Sequence, residues 1–297
     1  MAAVNYAEAY ERALAQAYPN VLNFGELYNV ANNRTYKFVD AKTIHIPSIS
    51  VSGRKNVNRD AIDGNFQRNV DNEWETKTLT FYREWSTSID PADVMDTNMV
   101  LTITNATQVF NETQKFPEKD AYTISKIYAD WTAEGKTADK TVLSVDNILA
   151  VFDKLMEQMD EALVPSQGRL LYVTPAVKTL LKQASNVVLY KDVASQANIN
   201  RVVDRLDEVK LITVPSFLMK TAYDFTTGFK PSDTAKQINI FLVHPTAILT
   251  PNKYAFVGME APAAGTKGDY IYYEKEYSDV FILNNRTGAI AFNITSE

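Results

Sequence analysis

Two histidines, His45 and His244, are the only imidazoles in a 297-residue chain that has no cysteine. Without cysteine there is no thiolate nucleophile, thiolate metal site or disulfide scaffold. His45 falls in a strand-like run and His244 directly precedes Pro245. Neither has a partner at a helical or metal-ligand spacing, so both read as structural or exposed. Ser52-Gly53-Arg54-Lys55 fits the serine–lysine spacing of some acyl-transfer enzymes. That chemistry needs the serine at a helix start facing a pocket, with a Lys-Thr-Gly elsewhere. Here the four residues fall in a glycine-containing turn region and no Lys-Thr-Gly follows. No glycine-rich phosphate cradle of either common spacing is present. The triplets starting at Asn33, Asn105, Asn111, Asn285 and Asn293 satisfy the N-glycosylation pattern, which acts only on secreted chains. No secretion signal is visible, because the first amphipathic stretch carries Glu8 and Glu11. Carboxylates are plentiful, but nothing local pairs them. The residues indicate no catalytic, cofactor or metal site.

Composition narrows the classes further. Hydrophobic residues make up 45% and charged residues 22%, which describes a globular chain. The formal charge is −6, against the basic balance of a protein that grips phosphates. No run is long and apolar enough to span a bilayer. Sixteen Tyr, fourteen Phe and three Trp accompany ten Gly. Such aromatics serve a core or a protein–protein interface, and composition alone favours the core.

The most informative stretch is 42–86. Residues 43–51 and 74–85 read as strands rich in β-branched and aromatic residues, with Ile44 and Ile46, Ile49 and Val51, and Leu79 and Phe81 alternating. Their connector, 52–73, is far longer than a hairpin turn. It sets Arg54, Lys55, Arg59 and Arg68 against Asp60, Asp63 and Asp71. Such a mixture suits a solvated loop and a charged contact with another subunit equally. A two-stranded ribbon is marginal alone, so the arm is expected to lie across another subunit.

The other elements follow from period and caps. A helix is predicted over 5–17, with Tyr6, Tyr10, Leu14 and Ala17 on one face and Pro19 ending it; 1–36 reads as an arm that docks, or as a frayed end. Asp90-Pro91 suits a helix start. A weak helix is predicted near 100–115 and a stronger one opening at Phe116-Pro117, with Ala121, Ile124, Tyr128 and Trp131 as its stripe and Gly135 as its end. Residues 135–140 read as a linker. A helix over 145–162 is capped by Ser144 and buries Ile148, Phe152, Leu155, Met156, Met159 and Leu163. A strand over 169–173, a helix from Thr174-Pro175 to about Ser185, and strands over 209–214 and 238–243 make an α/β module. Residues 269–294 read as a hairpin turning at Asn284–Gly288, which returns to pair with the segment before the linker.

This order of parts resembles the major capsid proteins of tailed phages with the Hong Kong 97 fold. The likeness is carried by 36–47 (Tyr-Lys-Phe-Val-Asp-Ala-Lys-Thr-Ile-His-Ile-Pro), 74–79 (Trp-Glu-Thr-Lys-Thr-Leu), 116–126 (Phe-Pro-Glu-Lys-Asp-Ala-Tyr-Thr-Ile-Ser-Lys) and 171–175 (Leu-Tyr-Val-Thr-Pro). It implies an α+β capsid fold: an N-terminal arm (1–36), an extended β-hairpin loop (37–86), a peripheral domain with a spine helix (87–140 and 256–297) and an α/β axial domain (141–255). By the same likeness the chain is a non-enzymatic shell subunit. It forms hexamers and pentamers around double-stranded DNA that it does not read, in a virion assembled in the host bacterial cytoplasm. Inter-subunit contact is then expected from Arg54, Lys55, Arg59, Asp60, Asp63, Phe66 and Arg68 at the tip and Tyr6, Tyr10 and Leu14 in the arm. Some relatives crosslink a lysine of this loop to a neighbour's asparagine. Lys55 takes that place only by analogy, and no crosslink is expected. With the hairpin beginning near residue 40, a separate scaffolding protein and a portal are implied, prior cleavage being the alternative. The competing readings are an encapsulin-type cargo shell, a tail or baseplate protein, and a serine hydrolase using Ser52 and Lys55.

Overall fold

A computed structural model describes residues 20–30, 37–40, 42–54, 70–97, 102–184 and 205–295. The helix expected over 5–17, with Tyr6, Tyr10 and Leu14, lies outside the described residues, as do Lys55, Arg59, Asp60, Asp63, Phe66 and Arg68.

The first described segment makes one helical turn, α1 (Gly25–Tyr28). Three antiparallel strands follow in the order β1 (Lys37–Phe38), β2 (Thr43–Val51) and β3 (Val70–Thr78). The next strand, β4 (Phe81–Ile89), begins after only Leu79 and Thr80. The single strand predicted over 74–85 is therefore two strands in two sheets. Leu79 is buried, and the Thr80 amide donates to a carboxyl oxygen of Asp279 at 2.6 Å. Those two anchors turn the chain out of one sheet and into the other. Alternation alone cannot reveal such a turn.

The helix α2 (Pro91–Asp96) starts as predicted: Asp90 Oδ1 accepts the Ala92 amide at 2.8 Å, and proline occupies the first turn. Thr102 caps α3 (Ile103–Phe110), which passes through a π-helical turn at Asn111–Lys115 directly into α4 (Phe116–Ala133). The fresh start predicted at Phe116-Pro117 is thus the interior of a longer helix. Proline lacks an N–H, and its ring crowds the carbonyl four residues earlier. The wider π turn lies immediately before it and supplies that space. The end is as expected, with Gly135 at φ +75° and its amide bonded to the Thr132 carbonyl at 3.0 Å. Ala121, Ile124 and Trp131 are buried as predicted, and Ile127 is buried with them.

The helix α5 (Ile148–Glu161) starts at Asn147 and not at Ser144. Asn147 Oδ1 accepts the Ser144 amide and its Nδ2 donates to the Val142 carbonyl, both at 2.8 Å. The asparagine thus closes the preceding turn, and local sequence cannot choose between the two neighbours as cap. Leu163, expected on the apolar face, is exposed at φ +57° where the chain leaves the helix. Then come β5 (Leu170–Val173) and α6 (Pro175–Gln183), the latter capped by Thr174 as predicted. The remaining strands are β6 (Arg205–Leu206), β7 (Val209–Thr213), β8 (Tyr223–Asp224), β9 (Lys230–Pro231), β10 (Ile238–Val243), β11 (Ile248–Leu249), β12 (Asn252–Glu260), β13 (Tyr270–Ser278), β14 (Phe281–Ile282) and β15 (Ile290–Ile294).

A five-stranded sheet, β15-β10-β5-β7-β6, forms the centre, with only β5 and β7 parallel. Its strands bury both faces. Tyr172, Phe241 and Phe292 point toward α4, and Leu171, Val173, Ile240 and Leu242 point toward α5 and α6. A second sheet, β12-β13-β4, lies beside α3, and β13 pairs along the whole of β4, whereas β15, at the end of the same returning segment, joins β10 of the central sheet. The hairpin expected across Asn284–Gly288 does not form. β14 pairs with β11 and β15 with β10, while Asn284–Ala289 forms 3-10 turns between them. Each strand finds a partner remote in sequence, so the turn residues bend the chain without closing a ladder.

Candidate functional site

The hairpin β2–β3 projects with its two ends in different surroundings. Its register pairs Ile44 with Lys77, Ile46 with Glu75, Pro47 with Trp74, Ile49 with Asn72 and Val51 with Val70. Opposed residues share a face, so one face carries Pro47, Trp74, Ile49, Val51 and Val70. The other carries Ile44 and Ile46 near the root, then Ser48, Glu73, Ser50 and Asp71. Ile44 and Ile46 are buried with Leu79, Leu249, Phe281 and Leu283. Farther out the apolar face is bare: Ile49 is 70% exposed, Val51 71% and Trp74 52%. Arg54 follows β2 and is exposed; it is the only expected contact residue among those described.

Polar groups fix the root. Lys77 Nζ donates to Asn284 Oδ1 at 2.8 Å and meets Glu75 at 3.0 Å, and Glu75 also accepts the Asn284 amide at 3.2 Å. Asp40 Oδ1 accepts the amides of Lys42 and Thr43, which hold its carboxyl below the usual range. Beneath the β3–β4 junction, buried Asp279 gathers the Thr80 amide, the Val280 amide at 2.7 Å and the Tyr122 hydroxyl at 2.7 Å. Burial and this carboxylate push the Tyr122 phenol well up. Asp120, inside α4, accepts the Asn23 and Phe24 amides at 2.9 and 3.1 Å and the Asn23 side chain at 2.8 Å, clasping the α1 segment onto the core. Burial raises its carboxyl from 3.8 to about 6. Neither Asp279 nor Asp120 stands out in the sequence, because every donor except Val280 is remote along the chain.

The described residues with catalytic side chains, His45, Ser52 and His244, form no common site. The His45 ring lies 6.0 Å from that of Trp74 on the apolar face of the hairpin. His244 is held by Thr246 Oγ1 at 2.7 Å and the Gln167 carbonyl at 3.1 Å, and burial lowers its pKa. Ser52 is exposed beyond β2, and Lys55 lies outside the described residues. No group of three or more His, Asp or Glu among the described residues is arranged to hold a metal ion. No described helix is long and apolar enough to cross a membrane. A cleft of about 420 Å³ lies between the α3–α4 helix and the β4–β13 strands. In it Trp85 stacks on Phe110 at 3.8 Å, and Arg83 meets Glu118, Lys115 meets Glu274 at 3.0 Å and Lys119 meets Glu276 at 2.5 Å. Each of these three carboxylates faces a cation, an arrangement that ties helix to sheet.

No protein-family model matches the sequence, and no curated protein matches it. Solved structures match its fold along nearly its whole length. The asymmetric unit of the bacteriophage PhiM1 mature capsid has a TM-score of 0.67 at 13% identity, covering 99% of this chain and 93% of that one. The capsid structure of cyanophage P-SCSP1u has a TM-score of 0.67 at 12% identity, covering 98% and 93%. A structure from Mycobacterium phage Che8 has a TM-score of 0.64 at 12% identity, covering 98% of each chain. The chain has a phage capsid fold. It is the Hong Kong 97-like α+β architecture that the sequence resemblance implied, and the outward hairpin is part of it.

Proposed function

We propose that this chain is the major capsid protein of a tailed phage, a structural subunit and not an enzyme, that assembles through its arm and hairpin into the icosahedral shell enclosing the genome. The observation that carries the reading is an apolar strand face, from Pro47 to Val51 with Trp74, left bare on a hairpin whose root is firmly anchored, in a chain with a capsid fold. Repeated heterologous contacts of one kind close into rings and then shells. In this reading 37–86 is the extended loop over a neighbour, 87–140 with 256–297 the peripheral domain, and 141–255 the axial domain at the capsomer centre. Arg54, Lys55, Arg59, Asp60, Asp63, Phe66 and Arg68, with Tyr6, Tyr10 and Leu14, contribute contacts between copies in hexamers and pentamers. A separate scaffolding protein and a portal complete the assembly in the host cytoplasm. A charge of −6 suits a wall that holds DNA without gripping it.

Negative-stain microscopy of the chain, produced with and without its scaffold, tests this. Closed shells of uniform diameter are expected, and a chain that stays monomeric under both conditions overturns the reading. Because Val51 faces Val70, an Asn-Gly turn can replace 52–69 and close the hairpin. That variant should fold normally and fail to assemble.

A further inference from the structure

The strand β12 is an edge of its sheet, with β13 on one side and no described strand on the other. From Tyr254 to Met259 it runs without a charge or a proline. Its side chains alternate between two faces. Tyr254, Phe256, Gly258 and Glu260 share one, and Ala255, Val257 and Met259 lie on the side of Trp85 and α3. Both sides are open: Phe256 is 46% exposed, Val257 62% and Met259 65%. Among the described residues, no backbone group outside β13 bonds to the amides and carbonyls of 254–260. Such an edge presents a row of free donors and acceptors that templates another strand, and charge along the strand is the usual guard against it. The other long edges have that guard. β3 carries Asp71, Glu73, Glu75 and Lys77, and β4 carries Arg83 and Glu84. The run in β12 has none.

We propose that β12 pairs with β12 of a second copy, antiparallel about a two-fold axis at Val257, so that two three-stranded sheets become one. The axis sets Val257 opposite its own copy, Phe256 opposite Gly258, Ala255 opposite Met259 and Tyr254 opposite Glu260. Opposed residues then share a face, as an antiparallel pair requires. The strand is complementary to itself in size on both faces, because the large Phe256 and Met259 meet the small Gly258 and Ala255. Phe256 already leans over Gly258 of its own chain, where a Cβ would sit 3.0 Å from the ring. Two rings and two glycines therefore fill one square of four positions. Glu260, which makes no ion pair among the described residues, comes opposite a tyrosine hydroxyl that can donate to it. The contact is isologous, the same surface on both copies. Its role rests on the shell reading: hairpin contacts close copies into rings, and a two-fold contact joins one ring to the next.

The chain has no cysteine, so one placed at the axis reports on itself. Directly opposed residues of an antiparallel pair have Cβ atoms about 4.5–5.5 Å apart, close enough to link with a small adjustment. Full-length Val257→Cys is brought to assembly conditions, oxidised and run on a non-reducing gel. Met95→Cys, at an 80% exposed position in α2, is the control for random linkage. Microscopy of the same samples reads shells independently. Val257→Cys dimers, absent from the control, are expected. Shells without those dimers overturn the pairing and leave the shell reading standing. Dimers without shells retain the pairing and overturn the shell reading, and neither product overturns both. Linkage of Met95→Cys to the same extent marks random collision and overturns the pairing. Charge probes the same axis without cysteine. Val257→Lys and Val257→Glu each set like charges against themselves, and each should raise the chain concentration needed for assembly about tenfold or more, with circular dichroism unchanged. Mixing the two sets Lys against Glu and should recover most of the loss, which a folding fault would not allow. Assembly of each variant alone at the parent concentration overturns the pairing.

Discussion

In the central sheet, Phe241 lies between Tyr172 and Phe292, stacked at 5.5 and 4.7 Å, and the residues flanking it in β10 are buried against the helices on the other face. In the hairpin, strands of similar alternation leave Ile49, Val51 and Trp74 in water. Both regions have the period and the β-branched residues of a buried strand. They differ in what lies opposite: α4, α5 and α6 cover one, and among the described residues nothing covers the outer half of the other. Apolar area stabilises in proportion to the water it loses, so the first region sustains the fold, and the second holds its contribution for a partner.

The sharpest way to break this contrast is to truncate one anchor in each region. Phe241→Ala should cost about 3–5 kcal/mol and unfold much of the protein near room temperature, whereas Trp74→Ala should leave the denaturation midpoint within about 0.5 kcal/mol of the parent while assembly is lost. Urea denaturation followed by circular dichroism reads the first difference, and particle sedimentation reads the second. Equal destabilisation by the two would erase the distinction. Next in size is Asp279→Ala, which strands the Thr80 and Val280 amides and the Tyr122 hydroxyl, for a loss of about 3 kcal/mol in the same measurement.

The Asp120 clasp sharpens the comparison through pH. Its folded pKa, about 6, lies above the ordinary 3.8. The stability from this group is therefore full below about pH 4 and is lost as pH rises through 6, by about 3 kcal/mol at most. Denaturant midpoints between pH 4.5 and 6.5 should fall in the parent relative to Asp120→Asn; parallel profiles would remove Asp120 as the source. Smallest is Tyr172→Phe. The Tyr172 hydroxyl is buried with no hydrogen-bond partner among the described residues, and its removal should be neutral or stabilise by up to about 1 kcal/mol.

Much of the architecture is legible locally. Asp90 and Thr174 cap helices where expected, the strand 238–243 is recovered to the residue, and Gly135 ends the long helix. The misreadings have one origin. The strand over 74–85 is cut at Leu79 because Asp279 waits beneath it, and the turn at Asn284–Gly288 fails to close a hairpin because β11 and β10 are better placed partners. The helix crosses Pro117 because a π turn accommodates it. The helix expected over 5–17 and residues 55–69 of the loop tip lie outside those described, and of the expected contact residues only Arg54 lies within them.

The sequence by itself determined the capsid-like order of parts, the hydrophobic periods and most of the caps, since those depend on neighbours within a few residues. Tertiary structure alone decided which side of the hairpin is bare, which carboxylates are buried among amide donors, and that the uncharged run of β12 lies at an open edge of its sheet. Those outcomes depend on strand register between segments far apart in the chain, and register is a property of the assembled sheet.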